Sequence, residues 1–462
     1  MPKADLQPPA TLSAGTRIER DNSVFLPASG SGAPLGLFRR LAPWAAMGGF
    51  TVLDQAAISG SNFVISILLG RWLAPSHYGA YALAFAIFIL LTRVYQALLL
   101  EPMAVFGGSA YEPCLRAYIK ALVRIHVVMT VLIVLALSLS SVLARTLGHT
   151  SGLAGALAGV TLAAPCVLLF WMARRSFYFQ LSPARAAAGS LIYFALVLVG
   201  LLAGHARGLI TPFTAFLLMG VAAAFTSVLL FRQLQRALPV GLIGPTLRQA
   251  WRRHWEYGRW ALAASVASWL PAYIYYPLLG AVSGMASAGQ LRALMNLVSP
   301  VNQVLAALSM LFIPHAARVQ GRHGIGRSRG LSYKLMALSV AMTAGYWAVM
   351  ILFKRPVFEL FYGTRYLGIM NLLPIVAFGS LFWSAASGPS IVLRGMESPQ
   401  SLFWAFGVAT VISLLIGVPA AWKFGLTGGI WGMNISDVIS FGMAVWLLGR
   451  KADGPSPASA AS

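Results

Sequence analysis

The sequence predicts an all-α polytopic membrane protein of about twelve transmembrane helices arranged as two six-helix lobes. Three observations lead there. Apolar windows of membrane length recur from one end of the chain to the other, Lys and Arg concentrate in alternate connections, and a glycine-bracketed hairpin recurs at the start of each half. With 58% hydrophobic and only 10% charged residues over 462 positions, the chain lies far outside the range of soluble globular proteins.

Residues 1–46 are polar, rich in Pro, Gly and Ser, and contain no apolar run of signal-peptide type, which predicts a disordered cytoplasmic tail. Crossing the hydrocarbon core takes about 20 apolar residues. Such windows lie near 50–71, 78–100, 122–144, 152–173, 186–204, 209–231, 259–281, 287–313, 333–353, 367–393, 401–421 and 425–449. Each is read as a helix, which satisfies its own backbone groups in lipid. The longest basic connection divides the chain into an N-terminal lobe (47–231), a cytoplasmic linker (232–258) and a C-terminal lobe (259–451), with a second disordered tail at 452–462. Within the linker, Trp251, Arg252, Arg253, His254, Trp255 and Arg259 read as an amphipathic stretch on the inner leaflet.

The net charge of +23 raises the possibility of a nucleic-acid partner, but the basic residues are scattered between apolar spans and form no basic domain. Topology accounts for them. If both termini are cytoplasmic, 25 of the 34 Lys and Arg fall on the inside and seven on the outside, with Arg93 and Arg292 left within spans. The two cysteines, Cys114 and Cys166, provide no disulfide framework and argue against redox chemistry.

A repeat crosses the midpoint. Leu68-Leu69-Gly70 is followed nine residues later by Gly79, and Leu278-Leu279-Gly280 nine residues later by Gly289. Six spans per half give both halves one orientation, so the lobes are expected to be related by a pseudo-two-fold axis along the membrane normal.

The run from Leu68 to Tyr81 (LLGRWLAPSHYGAY), whose Leu-x-Pro-x-x-Tyr-Gly core is its recognisable part, resembles the first hairpin of bacterial polysaccharide transporters. That family is the O-antigen and exopolysaccharide branch of the multidrug/oligosaccharidyl-lipid/polysaccharide exporter superfamily. The segments Gln96–Gly107 and Leu291–Pro314 and the run Leu393-Arg394-Gly395-Met396 are similar to it as well, so the resemblance extends over about 50–449. It implies a flippase of the bacterial inner membrane that carries an undecaprenyl-diphosphate-linked oligosaccharide outward for lipopolysaccharide or exopolysaccharide assembly. Two six-helix bundles would open alternately to each side. The implied partners are the lipid-linked substrate, membrane lipids, and the glycosyltransferases and polymerase before and after it. A related flippase of lipid-linked peptidoglycan precursor carries cavity arginines on early spans and on the eighth. Here the first span has Asp54 in place of an arginine.

Arg93 and Arg292 are the principal site candidates, each in the second span of its half. A cation at bilayer depth costs at least about 3 kcal/mol and therefore faces a water-filled cavity or a partner. A diphosphate offers two adjacent anionic groups to the parallel donors of guanidinium, with Arg93 toward the inside and Arg292 nearer the outside. Two plain readings stand beside this one: Arg93 pairs with Asp54 or Glu101, and Arg292 snorkels to the outer interface. Weaker glycan-contact candidates are Gln96, Asn296, Asn302 and Gln303, the last three on or near the face of Arg292, and the aromatic pair Trp269 and Tyr273. Hydrogen bonding between helices or an interfacial aromatic belt explains these residues equally well. Asp437 with Asn434 is an ion-coupling candidate or an arginine partner, and Asp54 and Glu101 are gating or interfacial candidates.

No Gly-x4-Gly-Lys-Ser/Thr loop, cofactor motif or metal-ligand spacing occurs, and His77, His149 and His205 are isolated. An enzyme is not expected, because the outside loops are too short for a catalytic segment. The rival within the same superfamily is a drug/cation antiporter.

Overall fold

The computed structural model describes residues 34–107, 110–146, 152–179, 182–238, 244–396 and 399–453, and among them every regular element is a helix. The chain divides into two compact units, Met1–Ala46 and Met47–Ser462. The first helix runs Pro34–Trp72, so residues 34–46, expected as tail, are helical, whereas 1–33 lie outside the described residues.

Among the described residues ten helices are long and apolar enough to cross a membrane: Met47–Trp72, Pro75–Gly107, Glu112–Thr146, Leu153–Tyr178, Pro183–Ala206, Pro212–Ala237, Met285–Ile313, His315–Leu352, Leu367–Gly395 and Phe406–Arg450. Two facts relate this set to the twelve windows of the sequence. The last helix has 45 residues, about 68 Å at 1.5 Å per residue and twice a hydrocarbon core. It breaks at Gly425, where φ is 57° and ψ −133°, and so holds the eleventh and twelfth spans. The seventh span, Leu247–Tyr273 continued by Tyr275–Val282, opens with Arg248, Arg252, Arg253 and Arg259, which lower its average hydropathy. A break of the same kind at Gly324 (φ 72°) separates the eighth and ninth spans within the continuous stretch Met285–Leu352.

Packing within Met47–Ser462 follows the two halves. The fourth span lies against the third and sixth, the tenth against the ninth and twelfth, and the halves meet along the second and eighth. Large apolar side chains such as Val131, Leu132, Leu135, Leu139 and Val142 on the third span are exposed. In water that stripe would be unfavourable at about 25 cal/mol per Å², whereas lipid tails solvate it.

The second span has a defect with a clear cause. Pro102 has no N–H, so the carbonyl of Leu98, four residues earlier, lacks its helical donor. The chain widens to a π turn over Gln96–Leu100, where the Glu101 N–H bonds to Gln96 O. The freed Leu98 carbonyl is met from the seventh span by His254, whose Nδ1 lies 3.0 Å away, while Nε2 lies 2.7 Å from the Tyr118 hydroxyl. A carbonyl only accepts, so Nδ1 carries the proton and Nε2 accepts from Tyr118. Gly258 allows the approach: a methyl there would sit 2.7 Å from Ala97 O. Ala250, His254 and Gly258, four residues apart, form the buried stripe of this helix. The inner half of the seventh span is therefore bound to the N-terminal lobe.

His254→Phe would leave the Leu98 carbonyl and the Tyr118 hydroxyl without this partner and should lower stability by about 1–3 kcal/mol, read as a fall in the thermal midpoint of the detergent-solubilised protein.

Candidate functional site

The seam between the lobes follows a seven-residue register on both sides. On the second span Gly79, Ala86 and Arg93 share one face, and on the eighth Gly289, Asn296 and Gln303 do. The outer level is closed. A methyl on Gly289 would lie 2.7 Å from Pro75 O and 3.0 Å from Gly79 N, and one on Gly79 would overlap the Met285 carbonyl. At the next level Trp269 Nε1 donates to Ala86 O at 3.2 Å. Two further arginines tie the outer hairpins: Arg71 Nη1 donates to Leu360 O at 2.6 Å, and Arg365 donates to Leu73 O. The third level differs, because Arg93, Asn302 and Gln303 are all exposed. The seam is closed on the side poor in Lys and Arg, whereas on the basic side these three polar side chains stay exposed.

Arg292 sits within the closed part. Its Nε donates to Ser66 Oγ at 3.1 Å and its guanidinium lies 4.4 Å from the Phe85 ring centroid. Its remaining electrostatic neighbours are the phenols of Tyr276, Tyr78, Tyr81 and Tyr273, with no carboxylate among them. The cage is itself cross-linked: Tyr78 Oη lies 2.9 Å from Ser66 Oγ, and Asn296 Nδ2 donates to Tyr78 Oη at 2.9 Å and Tyr362 Oη at 3.2 Å, while Tyr362 donates to Ala293 O at 2.9 Å. Ser66, Tyr78 and Phe85 belong to the N-terminal lobe, Arg292, Tyr276 and Asn296 to the C-terminal lobe. The cation thus bridges the seam and does not snorkel outward. Trp269, Tyr273 and Tyr276 continue the cage as a stacked ladder with centroid spacings of 5.8 and 5.9 Å.

Arg93 is placed differently. Among the described residues it makes no ion pair within 4 Å, although Glu101 is within its electrostatic range, together with Arg175. Gln96 donates to Glu101 at 3.5 Å, so Arg93, Gln96 and Glu101 share the inner part of the second span. Asp54 is committed elsewhere: it is 1% exposed, accepts from Tyr178 and Ser190, and lies 3.5 Å from the Arg174 guanidinium. Asp54 is on the first span and these partners are on the fourth and fifth, all in one lobe, and among the described residues its hydrogen-bond and ion-pair partners do not include Arg93 or a seam residue named above. Asp437 and Asn434 lie together in the C-terminal lobe. Asn434 donates to Ile375 O at 2.8 Å, and Gly379 leaves the room both need, since a methyl there would stand 3.1 Å from Asp437 Oδ2. Among the described residues no hydrogen bond or ion pair reaches the Asp437 carboxylate.

Sequence reasoning did not find the phenol cage, Arg174 or the role of His254. Tyr78 stood within the hairpin motif and Tyr276 within the aromatic ladder, so both were visible as residues but not as neighbours of Arg292. Pro102 inside an apolar span was a signal for a missing helix bond, though not for the side chain that supplies it.

No protein-family model and no curated protein matches the chain. Solved structures do. An inward-facing multidrug resistance MATE family transporter of the MOP superfamily superposes with a TM-score of 0.74 at 12% identity, covering 87% of this chain and 96% of that chain. Lipid II flippase MurJ in an inward closed conformation gives 0.68 at 11% identity, covering 87% of each chain. An outward-facing MATE family transporter gives 0.62 at 15%, covering 89% and 96%. At these identities the likeness establishes the fold: an all-α membrane protein of two six-helix lobes related by a pseudo-two-fold axis along the membrane normal.

Asp54 and Arg174 yield a prediction on stability. Asp54→Ala leaves a largely buried guanidinium without its counter-ion and should destabilise the protein by about 3–5 kcal/mol, measured as a fall in the thermal midpoint in detergent. Pairing it with Arg174→Met should recover part of that loss, whereas Arg93→Ala should leave the midpoint close to wild type.

Proposed function

We propose that the protein is a flippase that carries an undecaprenyl-diphosphate-linked oligosaccharide across the bacterial inner membrane by alternating access, with its basic side and both termini in the cytoplasm. The observation that carries this reading is Arg93: an exposed guanidinium without an ion pair, on the seam face of the second span, on the basic side, where the polar side chains of the seam stay exposed. A lipid head group arriving from the inner leaflet meets this cation first. Diphosphate supplies the two anionic groups that guanidinium donors match, and Gln96, Asn302 and Gln303 line the adjacent surface for glycan hydroxyls.

Arg292 takes the second role. In the closed seam its charge is held by hydroxyls and ring faces, which stabilise it without neutralising it. Separation of the lobes on that side removes Ser66, Tyr78 and Phe85 from the C-terminal lobe and leaves the cation short of partners. A diphosphate moving up the seam replaces them, so opening and substrate transfer favour each other. The Trp269 and Tyr273 ladder offers ring faces to sugars on the same path. Moving roughly two negative charges outward across an inside-negative membrane is favourable by about 2.3 kcal/mol per charge per 100 mV, so the reading needs no nucleotide hydrolysis. The glycosyltransferases that build the lipid-linked unit and the polymerase that receives it are the partners this reading calls for.

A drug/cation antiporter is the second reading, and Asp437 favours it: a membrane carboxylate with no hydrogen bond or ion pair among the described residues is suited to a cation or proton. One experiment separates the two. In proteoliposomes, the leaflet distribution of a diphosphate-linked lipid oligosaccharide should change with wild type, and Arg93→Ala or Arg292→Ala should slow the change at least about tenfold, the worth of a charge-assisted hydrogen bond. Membrane insertion should be unaffected. Wild-type rates in both variants, or no lipid transfer together with organic-cation export that Asp437→Asn abolishes, would move the assignment to the antiporter.

A further inference from the structure

The seventh span carries a second surface, distinct from the seam. From Leu247 to Arg259 only Ala250, His254 and Gly258 are buried, and that stripe is fixed on the N-terminal lobe through Leu98 and Tyr118. Turning around the helix by 100° per residue, the next side chains are Trp251 and Trp255, then Arg248, Arg259 and Arg252. Trp251 and Trp255 are exposed and stacked on each other with centroids 6.2 Å apart. Arg248 and Arg252 are also exposed, and the nearest acid, Glu256, takes only Arg252, at 2.9 Å. Arg253 lies on the far flank, turned back over Phe106 and Tyr111 at 5.6 and 5.5 Å. Two indole faces and the exposed guanidinium groups of Arg248 and Arg252 therefore run side by side on one face of the helix.

The helix continues without a break through Arg259 into the apolar run. At 1.5 Å per residue, Arg248 to Arg259 covers about 16 Å just outside the hydrocarbon, the depth of the head groups and their aqueous edge. Indole rings suit that layer, with an apolar body and a polar N–H, and arginine reaches phosphate from it.

We infer that the Trp251, Trp255, Arg248 and Arg252 face is a binding site for acidic phospholipid of the leaflet on the basic side of the protein. The tryptophans settle beside the glycerol and upper chains, and Arg248 and Arg252 hold the anionic head group. Because the opposite face of this helix is tied to the N-terminal lobe by His254, a lipid bound here fastens that lobe to one leaflet.

The test uses the purified full-length chain, delipidated in neutral detergent and titrated with phosphatidylglycerol or phosphatidylcholine, with retained lipid counted by native mass spectrometry. Wild type should retain phosphatidylglycerol in preference, and the preference should fall with added salt. Arg248→Gln should weaken phosphatidylglycerol binding about fivefold, the effect of one basic residue near an anionic surface. The Arg248→Gln, Arg252→Gln double variant should weaken it further, without moving phosphatidylcholine. These side chains are exposed, so an unchanged thermal midpoint verifies folding. Equal retention of both lipids by wild type, or undiminished phosphatidylglycerol binding by the double variant, overturns the proposal. The measurement involves no transport, so its outcome is independent of the flippase reading.

Discussion

A charge that cannot leave the bilayer must be satisfied by whatever surrounds it, and the inter-lobe seam is organised around that constraint at Arg292. The surrounding groups are hydroxyls and aromatic faces drawn from both lobes. A carboxylate in their place would make a permanent ion pair, costly to separate in low dielectric. Phenols and a serine stabilise the guanidinium enough to be compatible with burial, and they can be exchanged one at a time for another oxygen donor set. The close helix approach at Gly79 and Gly289 brings these partners from two lobes within reach of one side chain.

The same register explains why the two ends of the seam differ. Along each of the two facing helices, small residues at the outer level permit contact, polar and aromatic residues cross-link the middle, and Arg93 and Gln303 stand free at the inner level. Three levels separated by seven residues span about 21 Å along a helix. This is enough for one end to be sealed by close contact while polar side chains at the other stay exposed. Asp54 and Asp437 lie off this axis, one held by Arg174, Tyr178 and Ser190 and the other without a hydrogen bond or ion pair among the described residues.

Much of this was legible in the residues. Apolar length marked the spans, and the repeated glycines marked positions at which the lobes meet. Arg93 and Arg292 stood out because charge is rare in such windows. What could not be read is who faces whom. Tyr118 and His254 are 136 residues apart, as are Asp54 and Ser190. Periodicity assigns a side chain to a face, but the opposing face is a tertiary fact. So Tyr78 read only as part of a hairpin motif and His254 as one more polar residue of a basic cluster, and nothing marked Arg174 as the partner of Asp54. Ten long apolar helices among the described residues correspond to twelve spans, since one glycine with positive φ separates two spans that otherwise run together and the arginines that open the seventh helix lower its hydropathy.

The bond from His254 to the Leu98 carbonyl has a mechanical meaning for the chain as a whole. It assigns the inner half of the seventh span to the lobe that precedes it in sequence, while the outer part, beyond the break at Ile274, packs with the lobe that follows. The covalent border between the halves and the mechanical border therefore do not coincide. The two attachments of this one helix are joined across Pro271 to Ile274. A chain severed before Thr246 would keep both halves joined through this helix, like a door whose hinge pin stays seated after the strap beside it is cut.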